Sequence, residues 1–223
     1  MIAEAFSRPS ILEMECSVMK AIGCLAAVIV VVAVLGLVLM GSYNNLVGLG
    51  QGVDAQWAQV ESAYQRRADL IPNLVATVSG AAGFEKSTLE AVTRARASVG
   101  QVKVNPGDAA SMAEFEKAQG GLSSALSRLL VVSEQYPDLK ATANFRDLQV
   151  QLEGTENRIG VERNRFNEKA QTYNTAILRM PTRLFAGLFG MKEKPYFKSA
   201  AGSEKAPTVN FNFGASPAAA PAK

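Results

Sequence analysis

The sequence contains no histidine, and that one absence removes a wide range of chemistry. Without imidazole there is no Ser-His-Asp or Cys-His nucleophile, no His-ligated zinc and no imidazole proton shuttle at neutral pH. Cysteine is nearly as scarce. Cys16 and Cys24 are the only two, and both lie too close to the N-terminus to staple a distal domain or complete a metal site. A charge excess of either sign is also missing. Lys and Arg total 23 against 20 Asp and Glu, leaving a net +3 that is too small and too interleaved for a nucleic-acid binder. These absences exclude most hydrolase and metalloenzyme classes, and no cofactor, metal or small-molecule substrate is expected. The 223 residues allow one ordinary domain with appendages.

Charge is absent locally as well. Between Lys20 and Asp54 the only ionisable side chains are Cys24 and Tyr43. Inside that gap, Ala21 to Met40 reads AIGCLAAVIVVVAVLGLVLM. As a helix this run is about 30 Å long, the thickness of a bilayer hydrocarbon core. A cleaved signal peptide would have a shorter apolar stretch, about 7–15 residues, ending in small residues. This run ends in Leu39-Met40-Gly41, so an uncleaved transmembrane anchor over 21–40 is expected rather than a signal peptide or a buried soluble helix. Residues 1–20 form a short leading segment. Met19-Lys20 directly before the run is a typical anchor start, so Met1 and Met19 are both candidate translation starts. Lys20, with Arg8 if the longer start is used, lies on the N-terminal flank, while the first positive residue beyond the run is Arg66. The positive-inside rule then favours a cytoplasmic N-terminus and an exported C-terminal domain in a single-pass protein of the bacterial cytoplasmic membrane.

Beyond the run, apolar residues recur at helical spacing. Leu46, Gly50, Val53, Trp57, Val60, Tyr64, Arg67, Ile71, Leu74 and Val78 advance by threes and fours. Gly48, Gly50 and Gly52 predict a flexible or kinked stalk, and Pro72 a kink within a continuing helix. Gly80 to Gly83 reads as a turn, and 84–99 as a shorter helix. Asp108 is a good N-cap for a helix running to about Gln135, which Tyr136-Pro137 ends. A long helix follows over 144–178, with Phe145, Leu148, Leu152, Thr155, Ile159, Glu162, Phe166, Ala170, Tyr173 and Ile177 on one stripe. No strand pattern occurs. The fold class is all-α: a transmembrane helix, then an elongated antiparallel four-helix bundle over 43–180.

The C-terminal part changes character twice. Residues 179–198 read RMPTRLFAGLFGMKEKPYFK, basic and aromatic together. Such a segment suits either a membrane surface or an apolar cap on the end of the bundle. Arg179, Arg183, Phe185, Phe189, Lys192 and Lys194 are the candidate membrane-surface residues. Residues 199–223 are rich in Ala and Pro, interrupted only by VNFNF, and disorder is expected there.

Several stretches resemble the bacterial LemA family: YNNLV at 43–47, QW at 56–57 and YQRRADLIPNLVATVSG at 64–80. So do ARAS at 95–98, EQYPDLKATANFRDLQVQLEGTENRI at 134–159, RNRFNEKAQTYNTAI at 163–177, PYF at 195–197 and APTVNF at 206–211. The resemblance covers roughly residues 42–211 and implies one N-terminal membrane anchor followed by a helical bundle. It carries no catalytic residues over. It associates the chain with envelope processes and with the building of internal membranes, and it implies an N-terminus outside the cell, opposite to the charge count.

Arg67 falls on the inward stripe of the first bundle helix. Guanidinium groups hold carboxylates and phosphates in fixed geometry, so Arg67 reads either as a ligand site or as half of a buried pair. An unpaired charge inside a bundle is costly, so pairing with Glu153, Glu156 or Glu162 on the long helix is expected, fixing register more than adding stability. Asn157, Asn167 and Asn174 are expected at helix–helix contacts, and the mixed charges around them read as a solvated face. Glu156, Glu162 and Glu168 are not expected to form an active site. Trp57 and the tyrosines read as core, not as platforms for nucleobases.

The function these features favour is a non-enzymatic, membrane-anchored scaffold or adaptor that binds the lipid bilayer and either other envelope proteins or itself. The alternative is a lipid-surface or membrane-remodelling protein that uses 179–198. Four antiparallel helices starting at a membrane return the end of the fourth towards it. If the short helix over 84–99 continued the direction of the first, that end would lie far from the bilayer.

Overall fold

The computed structural model describes residues 11–81 and 83–198. The candidate start at Met1 and the Ala/Pro-rich tail over 199–223 lie outside that range. Among the described residues six helices follow one another: α1 (Ile11–Ser79), α2 (Lys86–Gln101), α3 (Ala109–Ser133), α4 (Pro137–Ala141), α5 (Ala143–Leu178) and α6 (Thr182–Ala186). No strand occurs among the described residues.

α1 is one helix of 69 residues, about 100 Å long at 1.5 Å per residue, and it joins the apolar run to the bundle without a break. The glycine-weakened stalk expected at 48–52 is not a separate element. Helix propensity is a weak prior that packing overrides, and here Leu46 and Val53 are buried on either side of the glycines. Gly50 lies against Tyr173, where a Cβ would approach the ring to 3.4 Å. The helix also continues through Pro72.

Side-chain pairs give the directions. Trp57 meets Phe166 and Arg67 meets Glu156, so α5 runs antiparallel to α1. Trp57 meets Phe115 and Arg67 meets Gln119, so α3 runs parallel to α1. The chain reverses at Gly83, whose φ of +79° suits glycine, and Arg96 Nε then donates 3.0 Å to the Ala68 carbonyl. α2 therefore runs back along α1. The topology is up-down-up-down, and the end of α5 returns to the end of the bundle nearest the apolar run.

The helix ends follow their local chemistry. The Asp108 carboxylate accepts from the Ala110 and Ser111 amides, as expected of an N-cap, and Thr142 caps α5 through the Phe145 amide. Pro137 opens the single turn of α4, where a proline has no helical hydrogen bond to lose. The inward stripes are buried as their spacing predicts, with Gly50 and Leu148 only partly covered.

The core has two apolar clusters. Nearer the apolar run it gathers Trp57, Tyr64, Phe115, Phe166, Tyr173 and Phe197. Farther out it gathers Ile71, Leu74, Val78, Val92, Leu122, Leu129 and Leu152.

Candidate functional site

Arg67 lies between the two clusters and is 2% exposed. Its Nη1 donates to Glu156 and, at 3.1 Å, to Ser123 Oγ, while Nη2 donates to Gln119 Oε1. The guanidinium sits 5.2 Å from the Tyr64 ring centroid, and Nε is buried with no hydrogen-bond partner among the described residues. Of the three carboxylates expected from sequence, Glu156 is the partner. Glu153 instead accepts from Gln149 at 3.1 Å, one turn away on its own helix. Glu162 is buried lower on α5, where it accepts from Gln56 at 2.8 Å and from Arg165 at 3.2 Å. The helical stripe locates Arg67 but cannot choose among carboxylates on neighbouring turns. Burial pushes the Tyr64 hydroxyl above its usual range, and the nearby Arg163 and Arg67 pull it partly back. Arg67, Gln119, Ser123 and Glu156 thus form a polar layer buried at Arg67 and Gln119 and open to solvent at Glu156.

The second site is the end of the bundle nearest the apolar run. After α5 the chain makes the short helix α6, which packs on α1. Ala186 is buried, and Phe185 and Phe189 meet Leu39, Tyr43 and Leu46. The Phe189 and Tyr43 rings stand edge to face at 5.1 Å. Residues 191–198 then run in extended form back along the bundle. Asn174 brackets Lys194, its amide nitrogen donating 2.8 Å to the Lys194 carbonyl and its oxygen accepting at 2.7 Å from the Lys194 amide. Asn167 does the same for Phe197, at 3.0 and 2.8 Å. Seven helical residues rise about 10.5 Å and three extended residues about 10 Å, so the two brackets share one register. The Phe197 ring stacks on Trp57 and lies under the Arg163 guanidinium.

The six candidate surface residues therefore divide. Arg179, Arg183 and Lys192 are exposed. Phe189 is partly exposed, and Phe185 faces α1. Lys194 departs from the expectation: its ammonium lies 3.1 Å from Asp54 and over the Tyr173 ring, and only 18% of the side chain is exposed. Asn167 and Asn174 also differ from expectation, because they hold an extended segment where a helix–helix contact was predicted. Their seven-residue spacing and the PYF at 195–197 are the available signals. Nothing in the sequence alone joins the two, because the contact depends on where the turn after α5 sends the chain.

The sequence is similar to known proteins. The chain is 30% identical over 178 residues to the magnetosome protein MamQ of Magnetospirillum gryphiswaldense, covering 71% of this chain and 65% of that protein. It is 29% identical over 191 residues to the magnetosome proteins MamQ 1 and MamQ 2 of Paramagnetospirillum magneticum, covering 77% of this chain and 70% of each. The LemA family matches residues 56–211, a stretch that takes in the Arg67 layer, both asparagine brackets and the extended segment they hold. With that match over most of its length, the chain belongs to the LemA family.

Proposed function

We propose that the protein is a non-enzymatic, membrane-anchored scaffold of the bacterial cytoplasmic membrane, whose bundle binds other envelope proteins or a second copy of itself. The observation that carries this reading is the continuity of α1. The apolar run and the first bundle helix are a single element, so a bundle about 50 Å long, the length of α5, is held on the span without a flexible joint. A rigid projection at fixed distance from a membrane is what a scaffold needs. The chemistry agrees. On α5, Glu156 is paired with Arg67, Glu153 accepts from Gln149, and Glu162 is held by Gln56, Arg158 and Arg165, so these carboxylates are engaged within the bundle. The naming of its relatives as magnetosome proteins supports a role in an assembly over one in metabolism. The charge count favours a bundle outside the cytoplasm, against the orientation that the family resemblance implies.

The outer face of α5 offers the surface on which to test this. Val150 and Val161 are 67% and 47% exposed, well away from the apolar run. A photo-crosslinking amino acid at either position, in the full chain in native membranes, is expected to give discrete protein adducts. Only uncrosslinked monomer from both positions would overturn the scaffold reading.

A further inference from the structure

α1 leaves its apolar run at Met40, and within the next two turns the segment packed on it is α6. Tyr43 lies about 5 Å and Leu46 about 9 Å beyond Met40 along the helix axis, whereas a headgroup layer is about 5–8 Å deep on each side of the hydrocarbon. α6 is therefore held at the level where a bilayer crossed by α1 meets water. α6 and its two flanks expose large apolar groups: Met180, Leu184 and Leu188 are 69%, 65% and 81% exposed. Beside them Arg179, Arg183 and Lys192 are also exposed, and none makes an ion pair among the described residues.

We infer that residues 179–192 form an interfacial foot. Met180, Leu184 and Leu188 enter the boundary between headgroups and acyl chains, and Arg179, Arg183 and Lys192 lie on the phosphates of anionic lipid. The inference rests on α1 crossing the bilayer and adds a second, lateral contact with the same membrane. Two arguments favour lipid as the occupant. The segment packs on α1 directly after the apolar run, with Phe189 edge to face on Tyr43, so a bilayer that covers the run reaches the level of the foot. A second copy seated on the same patch through a two-fold axis would bring Arg179, Arg183 and Lys192 against their own equivalents, whereas anionic phosphates neutralise them. The extended segment ties the foot to the bundle, because Lys194 is bracketed by Asn174 and paired with Asp54. Tilt or rotation of the span would thus be resisted by the bundle through the foot.

The test uses the full chain with Cys16→Ser and Cys24→Ser, carrying one fluorophore at a time at Leu35→Cys in the span, Leu188→Cys in the foot or Val161→Cys on the bundle. The protein is reconstituted in phosphatidylglycerol liposomes containing a lipid-attached nitroxide quencher. We expect strong quenching at Leu35, and quenching at Leu188 about threefold or more above that at Val161. The double variant Arg179→Glu/Arg183→Glu should bring Leu188 down to the Val161 level while Leu35 is unchanged, and phosphatidylcholine should do so in part. Quenching at Leu35 without quenching at Leu188 overturns the foot and leaves the span standing. Failure at Leu35 overturns the span, and the foot with it. Shielding of Leu188 from an aqueous quencher that rises with protein density, without lipid quenching, assigns the patch to a second copy and overturns the lipid reading.

Discussion

Nearer the apolar run, the core is built on the rings of Trp57, Tyr64, Phe115, Phe166, Tyr173 and Phe197. Beyond Arg67 it is mostly aliphatic, built on Ile71, Leu74, Val78, Leu122, Leu129 and Leu152, with Phe145 its one fully buried ring among the described residues. The difference follows from what closes each half. The outer half is closed by α2, whose Val92 meets the aliphatic ridges of α1 and α3, and helices fill one another's grooves with side chains of moderate size. The inner half lies beyond the end of α2 and is closed by extended residues 191–198. Extended backbone brings polar groups into the interface without satisfying them itself, so Asn167 and Asn174 supply donors and acceptors while large rings fill the uneven space. The Arg67 layer separates the two halves. It costs desolvation, and its hydrogen bonds tie α1 to both α3 and α5, as a register-fixing role requires.

Phe166→Ala should do the most damage. The ring is fully buried and touches both Trp57 and Phe197, so its loss is expected to cost about 3–5 kcal/mol. Leu129→Ala, fully buried in the outer cluster, should cost about 2–5 kcal/mol. Denaturant unfolding of the full chain in detergent micelles measures both. Trp57 is the only tryptophan, so its fluorescence reports the inner half while circular dichroism reports the whole. Coincident transitions in both variants would make the two clusters one cooperative unit. A Trp57 transition that moves for Phe166→Ala and stays in place for Leu129→Ala would establish the polar layer as a thermodynamic boundary.

Arg67→Ala comes next. Removing one partner of a buried pair leaves Gln119 unsatisfied, for about 3 kcal/mol. The cost sits at the low end of the usual range because Glu156 is 45% exposed and can turn to water. Arg67→Met with Glu156→Gln should recover most of the loss, since a filled volume replaces the charge. If stability returns but membrane-extracted protein becomes heterogeneous in size, the layer acts through register.

Period and chain reversal decide how much of this is legible in the sequence. The stripes of α1 and α5 can be read position by position, because a bundle helix buries every third or fourth residue whatever its partner is. Arg67 is readable as buried for the same reason, and its need for a carboxylate follows from electrostatics. The choice of Glu156 over Glu153 and Glu162 is not readable, since relative sliding of α1 and α5 by about one turn brings in Glu153 and by nearly two brings in Glu162. Lys194 escapes a sequence reading because basic residues near aromatics look alike whether they face lipid or, as here, a carboxylate on a distant helix. The role of Asn167 and Asn174 is hidden because extended segments carry no helical signature.

Asn174→Ala probes the inner half without touching its rings. It removes both hydrogen bonds to Lys194 and the one from Asn174 Nδ2 to Tyr196, and leaving backbone groups unpaired costs about 1–3 kcal/mol. The effect should be local. Hydrogen exchange at the Lys194 and Phe197 amides is expected to speed up by one to two orders of magnitude, about what that energy allows, while the α2 and α3 amides keep their protection. Equal acceleration in α2 would show that the extended segment and the outer helices open as one body.

The smallest effects are in pH, and the two halves should answer at opposite ends of the scale. In the inner half, burial raises Tyr64, so the folded state keeps its proton after the unfolded chain has lost it. The stabilisation is complete below the ordinary tyrosine value of 10.0 and declines as pH rises through the folded value. In the outer half, Glu85 precedes α2 and accepts from the Ser87 and Thr88 hydroxyls, which hold its carboxyl below the ordinary glutamate value of 4.5; Arg128, 3.9 Å away, adds to this. Here the folded state favours the charged form. The contribution is complete above the unfolded value and is lost as pH falls through the folded one. The carboxylate is exposed, so only the first turn of α2 should respond. Acid titration followed by exchange at the Thr88 and Leu89 amides is expected to show loosening in acid that Glu85→Gln shifts or abolishes, with Trp57 fluorescence unchanged. Alkaline titration should move Trp57 first, and Tyr64→Phe should reduce that response, the remainder belonging to Tyr173, which burial and Asp54 also raise. A Trp57 signal that tracked the acid transition would mean that the start of α2 and the aromatic core are coupled across the Arg67 layer, and the separation drawn between the two halves would fail.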